Sequence, residues 1–199
     1  MEPMKPIKVT EEVYTHEYLW RAAETLYKHA SLGRRQFYYR LSALMMVYIS
    51  FEAFINFIGE IMCPDLWLNE KDAFRGKGDA IESKIDAIVR QFPGYEWRKG
   101  ERPYQDVKRL KKFRDLVAHG KVIRGEYVAF PKDDEIDFRW THEWDEFIEP
   151  AQVARSMSSV KTFSQSLLVE ARKHSYEPHL LFGAFEGPLA SAEGTSTVE

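Results

Sequence analysis

A short stretch near the middle of the chain, KKFRDLVAHGK at residues 111–121, contains residue types that can bind a phosphate and move a proton. Arg114 carries a planar guanidinium whose paired N–H groups match the oxygens of a phosphate. His119 carries an imidazole, a group that takes or releases a proton near neutral pH. Together they suffice for cleaving RNA without a metal, because the 2′-hydroxyl of the RNA is the nucleophile and no protein nucleophile is needed.

Helix geometry limits how these groups can cooperate. In a regular helix Arg114 and His119 are about 140° apart around the axis and roughly 7 Å apart along it, so they diverge. Asp115 and His119 are only about 40° apart, and we expect the Asp115 carboxylate to hold one imidazole nitrogen and leave the other free. Arg114 lies at the margin of the apolar face and needs a partner, for which Glu52 is the candidate. A twofold dimer would place two copies of each group around one cleft.

The same residues also describe an ordinary helix end. A protonated His119 would meet the negative end of the helix dipole, and Gly120 would take the left-handed conformation that ends many helices. The stretch can therefore be both the end of a helix and a functional site.

The spacing of apolar residues predicts an all-α fold, an antiparallel bundle of about five helices with a small β-hairpin insertion before the last helix. The most regular pattern belongs to the second helix, where spacings of four and three alternate through Phe37, Leu41, Leu44, Tyr48, Phe51, Ile55, Ile58 and Met62. Pro64 should end it. The other predicted helices run from Thr10, as N-cap, to Ala30; from Asp79, as N-cap, to before Pro93; from Pro103 to His119; and from near Pro150 to about Lys173.

The predicted domain organisation is simple. Residues 1–182 should form one domain, with short strands over residues 122–141 as the β insertion. Residues 183–199 should form a flexible tail, because their Gly, Pro, Ser, Ala and Glu content is typical of segments that need not fold.

Composition indicates a globular protein of the reducing cytoplasm. The chain is 44% hydrophobic and 30% charged, and its one cysteine, Cys63, can form no internal disulfide. The longest apolar run carries Ser, Glu and Asn residues that a membrane span rarely has, so no membrane association is expected. The histidines are scattered without ligand spacing, so neither a metal nor a cofactor is expected.

Charge is unevenly distributed along the chain. The net charge is −3, but residues 98–124 hold ten Lys or Arg against three acids, and residues 126–149 hold nine acids against two bases. The motif lies inside the basic block. Such blocks are often only solvated faces of a protein. The more specific interpretation is that this basic block forms a surface that binds the RNA backbone.

Three stretches carry a resemblance to a known family. RDLVAHG resembles the R-x4-H motif of the HEPN superfamily, in which a polar residue usually follows the Arg. SALMMVYISFEAFINFIGE resembles the long second helix of many HEPN proteins, with Glu52 and Asn56 in an E-x3-N setting, and ESKIDAIV resembles the Lys-bearing helix before the motif helix. The resemblance covers about residues 35–120.

The resemblance implies a bundle that dimerises through the motif helices and, where Arg and His are both kept, a metal-independent endoribonuclease, often a toxin or defence effector. Arg114 would bind the scissile phosphate, His119 would be the general acid or base, and Asp115 would orient His119. Glu52 and Asn56 should support the bundle rather than catalyse. To these we add a basic rim for the RNA backbone, formed by Lys108, Lys111, Lys112 and Lys121.

The expected partners are RNA, a second copy of the chain, and an antitoxin or other regulatory protein. The alternative is a non-catalytic HEPN-like module that binds a nucleotide or a partner, as some members of the family do. A purely structural helical dimer is a third reading, in which Arg114 and His119 would lie far from any shared cleft.

Overall fold

The structure is a computed structural model, and it describes residues 7–30, 36–120, 131–132, 135–136 and 144–197. The predicted all-α class with about five main helices is confirmed. In chain order the elements are β1 (Ile7–Val13), α1 (Thr15–His29), α2 (Gln36–Met62), α3 (Pro64–Trp67), α4 (Glu70–Ala73), α5 (Ala80–Val89), α6 (Tyr104–Ala118), β2 (Pro131–Lys132), β3 (Glu135–Ile136), α7 (Asp145–Ile148), α8 (Pro150–His174), a 3-10 turn (Pro178–Leu181) and β4 (Ala190–Thr197).

The long helix α2 is the centre of the bundle, as its apolar spacing predicts. Its fully buried side chains include five of the predicted seam, namely Leu44, Tyr48, Phe51, Ile55 and Ile58. Helices α1, α5, α6 and α8 all pack against it. By length and composition alone α2 could also cross a membrane, but half of its most apolar window is buried in the bundle, and a core helix passes the same test.

Polar contacts set the direction of α6 relative to its neighbours. Asp79 at the start of α5 lies 3.8 Å from Lys111 in the middle of α6, and Glu82, further along α5, accepts a hydrogen bond from Tyr104 at the start of α6. The two helices are therefore antiparallel. Ser159 of α8 donates a hydrogen bond of 2.8 Å to the buried carboxylate of Asp106, which fixes α6 from the other side.

Three predicted helix boundaries hold. Asp79 caps α5, since its carboxylate accepts hydrogen bonds from the backbone N–H groups of Ile81 and Glu82. Helix α6 follows Pro103 directly, and α8 begins at Pro150 as expected.

The predicted start of the first helix is wrong. Thr10 lies in strand β1 and not at an N-cap, and α1 begins at Thr15. The reason is a long-range pairing: β1 pairs antiparallel with β4, so that Ile7 faces Thr197 and Val13 faces Ala190.

The expectation of a flexible tail is also wrong for much of residues 183–199. Strand β4 pairs with β1, and the segment before it returns to the core, where Ala184 and Phe185 are buried. The Phe185 ring stacks on Trp20 of α1 with a centroid distance of 4.3 Å. One aromatic side chain thus anchors a stretch whose average composition indicated disorder.

The hairpin insertion falls mostly outside the described residues. Within residues 122–141 the structure describes only β2 and β3, in which Pro131 pairs with Ile136 and Lys132 with Glu135. These two short pairings do not amount to the predicted hairpin.

Candidate nucleic-acid site

The motif residues lie at the end of α6, which buries one face and exposes the other. Tyr104, Val107, Leu110 and Phe113 are buried against the bundle, whereas Lys112 and His119 on the opposite side are exposed. His119 is the C-cap, and its backbone N–H donates to the Asp115 carbonyl at 3.0 Å. Gly120 follows in the C′ position as predicted, but without the left-handed φ that favours glycine.

Arg114 is held in a defined orientation by two residues of α2. Its Nη2 donates to Glu52 Oε1 at 3.0 Å and to the Tyr48 hydroxyl at 3.4 Å. The guanidinium carbon lies 4.7 Å from the centre of the Tyr48 ring, within the range of a cation–π contact. The predicted pairing of Arg114 with Glu52 is therefore confirmed, and 24% of the Arg114 side chain remains exposed.

The electrostatic surroundings keep the Arg114 guanidinium protonated and the Tyr48 phenol neutral. Burial alone would lower the pKa of Arg114, but the Tyr48 hydroxyl and the carboxylates of Glu52 and Asp115 raise it overall. Burial and the Glu52 charge raise the pKa of Tyr48 well above its ordinary value. Arg114 is therefore a fixed positive charge beside a neutral phenol.

Asp115 does not hold His119, and that prediction is wrong. Its Oδ2 pairs with Lys111 Nζ at 2.9 Å and its Oδ1 with Arg114 Nη1 at 3.0 Å. Lys111 lies one turn earlier on α6, at the same spacing as His119 lies later. The ammonium of Lys111 and the guanidinium of Arg114 both form charge-assisted hydrogen bonds with the carboxylate, which therefore turns towards them.

His119 is exposed, and its ring has no hydrogen-bond partner among the described residues. One turn and a half of helix separates it from Arg114, which places the two side chains about 140° apart around the axis. A single chain therefore does not bring them into one cleft.

Two of the four lysines of the predicted basic rim are paired with acids. Lys108 lies 3.5 Å from Glu82, and Lys111 is shared between Asp79 and Asp115. Lys112 is exposed and has no ion pair within the described part of the chain. Lys121 lies outside the described residues.

The second member of the E-x3-N pair has a structural partner of its own. Asn56 Oδ1 accepts a hydrogen bond of 2.8 Å from Lys84 Nζ, and Lys84 also pairs with Glu70 of α4. The lysine of the helix before the motif thus ties α4 and α5 to α2. This arrangement agrees with a supporting role for Asn56.

Tyr48 is the site residue that the sequence reading missed. Its place in the α2 seam predicts only apolar packing, and it is fully buried. The available signal was its spacing of four from Glu52, which puts a hydroxyl and a carboxylate on one side of a helix.

Outside α6, the described residues form a groove but no metal-ligating cluster. They contain no group of three or more His, Cys, Asp or Glu side chains placed to hold a metal ion. A groove of about 560 Å³ lies between the start of α1 and the C-terminal part of α2, and no residue of α6 lines it.

Comparison of the chain with protein-family models, with curated proteins and with solved structures finds no match. The resemblance to the HEPN superfamily therefore rests on the residues and stretches quoted above.

Proposed function

We propose that the protein is a metal-independent endoribonuclease of the HEPN type that acts as a cytoplasmic homodimer, in the role of a toxin or defence effector. The observation that carries this proposal is the way in which the fold positions and exposes the two motif residues. Arg114 is oriented by Glu52 and Tyr48 and keeps an exposed edge, while His119, at the end of the same helix, presents an exposed imidazole with no hydrogen-bond partner in the described part of the chain.

The reaction that suits these groups is an internal transesterification of RNA. The 2′-oxygen bonds to the adjacent phosphorus while the bond from phosphorus to the 5′-oxygen breaks. One histidine takes the proton of the 2′-hydroxyl, and a second gives a proton to the leaving 5′-oxygen. Arg114 binds the non-bridging oxygens, whose negative charge grows in the transition state. The products are a 2′,3′-cyclic phosphate and a free 5′-hydroxyl.

The divergence of Arg114 and His119 is the reason for proposing a dimer. A twofold axis beside α6 would bring the His119 of one chain towards the Arg114 of the other. The exposed side of α6, with Lys112 and His119, is the surface that such an axis would use.

A non-catalytic module that binds a nucleotide or a regulatory partner is the second candidate, and one observation favours it. Arg114 is paired with two carboxylates, Glu52 and Asp115, while His119 lacks the expected orienting group. A site with this charge balance binds an anion more weakly than the motif alone suggests.

The test is cleavage of RNA in a buffer containing EDTA by the wild type and by His119→Ala. His29→Ala is the matched control, because His29 is also exposed at the end of a helix. We expect the wild type and the control to leave cyclic-phosphate ends, and His119→Ala to lose at least about a hundredfold in rate. Equal cleavage by the wild type and His119→Ala would exclude the proposal, and no cleavage by any variant would favour the binding module.

A further inference from the structure

A row of alternating charges crosses three helices at the motif. Glu52 Oε1 lies 3.0 Å from Arg114, Arg114 lies 3.0 Å from Asp115, Asp115 lies 2.9 Å from Lys111, and Lys111 lies 3.8 Å from Asp79. The row contains three carboxylates and two cations, a net charge of −1. A site that receives a phosphate should instead be positive, so one of these carboxylates must give way.

The two carboxylates on Arg114 lie at the same distance from it, 3.0 Å, and are equally exposed, with 37% of the Glu52 and 38% of the Asp115 side chain accessible, but they differ in their other contacts. Glu52 binds Nη2, the nitrogen that also contacts the fully buried Tyr48. Asp115 binds Nη1 and also pairs with a second cation, Lys111. Exposed ion pairs contribute little, in the range of about 0.2–1 kcal/mol, whereas a guanidinium and a phosphate form strong charge-assisted hydrogen bonds.

We propose that Asp115 is an exchangeable counter-ion that occupies the place of the RNA phosphate on Arg114, and that Lys111 retains the carboxylate when RNA displaces it. This inference rests on the proposed function. Asp115 already bridges the two cations, so rupture of its contact with Arg114 leaves it paired with Lys111. Asp115 is thus a positioning residue that sets RNA affinity, and Lys111 acts through Asp115 instead of contacting the RNA backbone.

A double-mutant cycle tests both parts. The probe is a short single-stranded RNA that carries 2′-O-methyl groups at every position, which prevents cleavage and separates binding from chemistry. We expect Asp115→Asn to tighten binding roughly threefold to tenfold, because Arg114 Nη1 becomes available. Lys111→Met should weaken binding in the wild-type background, since Asp115 then has only Arg114, and should have no effect in the Asp115→Asn background.

The control is Asp72→Asn. Asp72 is an exposed acid paired with Arg75 at 3.4 Å, so this variant makes the same chemical change away from the motif. Asp115→Ser serves as a second variant should the asparagine disturb the helix end. Unchanged or weaker binding by both Asp115 variants would overturn the inference. Equal weakening by Lys111→Met in both backgrounds would also overturn it, because Lys111 would then contact RNA directly.

Cleavage of the all-ribose form of the same RNA separates the inference from the proposed function. If Asp115→Asn binds more tightly but no variant cleaves, the ribonuclease proposal fails and the inference stands for an anion-binding module. If the wild type cleaves and Asp115→Asn lowers kcat without tightening binding, Asp115 orients His119 after all. In that case the inference fails and the ribonuclease proposal stands.

Discussion

Replacement of His16 by Phe should remove a large part of the loss of stability that the protein suffers in acid. His16 lies in the first turn of α1, and only 6% of its surface is exposed. Its ring packs against Phe57 at a centroid distance of 4.7 Å and meets the edges of Phe54 and Phe185. Phenylalanine can occupy this aromatic surrounding without carrying a proton.

The magnitude follows from the pKa of the buried ring. Burial lowers the pKa of His16 from 6.5 to about 4. Above pH 6.5 the ring is neutral in the folded and the unfolded chain, so it contributes no pH dependence. Between pH 6.5 and 4 the unfolded chain binds a proton that the folded chain does not, and the free energy of unfolding falls with the pH. A difference of about 2.5 pH units corresponds to about 3 kcal/mol.

Neighbouring carboxylates act on the same pH range. Burial raises the pKa of Glu17 to about 6, although the backbone N–H of Gly187 opposes this by bonding the carboxylate at 2.9 Å. The folded chain therefore binds the Glu17 proton first as the pH falls, which stabilises it by about 2 kcal/mol between pH 6 and 4.5. The groove beside His16 is lined by three further acids, Glu12, Glu60 and Glu177. Their negative charges favour a proton on the His16 ring, so about 3 kcal/mol is an upper value for the contribution of His16.

The assay is denaturant unfolding of the wild type, His16→Phe and Glu17→Gln at several pH values from 7 to 4, with His29→Phe as the exposed control. The difference in unfolding free energy between His16→Phe and the wild type should shift in favour of the variant by up to about 3 kcal/mol on acidification. Glu17→Gln should shift in the opposite direction, and His29→Phe should not shift. A constant difference between His16→Phe and the wild type across this range would refute the reasoning.

Two further predictions concern stability alone, measured by urea unfolding. Gly59→Ala should destabilise the protein by roughly 1–3 kcal/mol despite the better helix propensity of alanine, because the new methyl group would overlap the ring of Trp67. Gly100→Ala, where nothing lies within 4 Å of the added methyl group, should show no such loss, and a stabilised Gly59→Ala would contradict the packing. Asp79→Ala should cost about 1 kcal/mol, because two backbone N–H groups at the start of α5 lose their acceptor. Asp72→Ala, which removes an exposed acid, is the control, and an equally small effect of both changes would show that the cap contributes nothing.

The helical bundle was predictable from the sequence wherever the spacing of apolar residues shows which face of a helix is buried. The seam of α2 repeats every three or four residues, so the sequence shows which face is apolar before any partner is known. The cap at Asp79 was predictable for a similar reason, because capping involves only backbone groups two and three residues away. The pairing of β1 with β4 was not predictable, since it joins residues at opposite ends of the chain and neither strand alternates strongly in polarity.

The sequence by itself determined which motif residues share a helix and how far they diverge, because the rise and rotation of a helix are the same for every residue. It also singled out Glu52 as the candidate partner of Arg114. Only the tertiary structure decided where the charges pair. Whether the Asp115 carboxylate turns to His119, Lys111 or Arg114 depends on how α2 and α5 present Glu52 and Asp79 to α6. Local periodicity places a side chain on a face, whereas the choice among competing ionic partners is made across helices, by distance and burial.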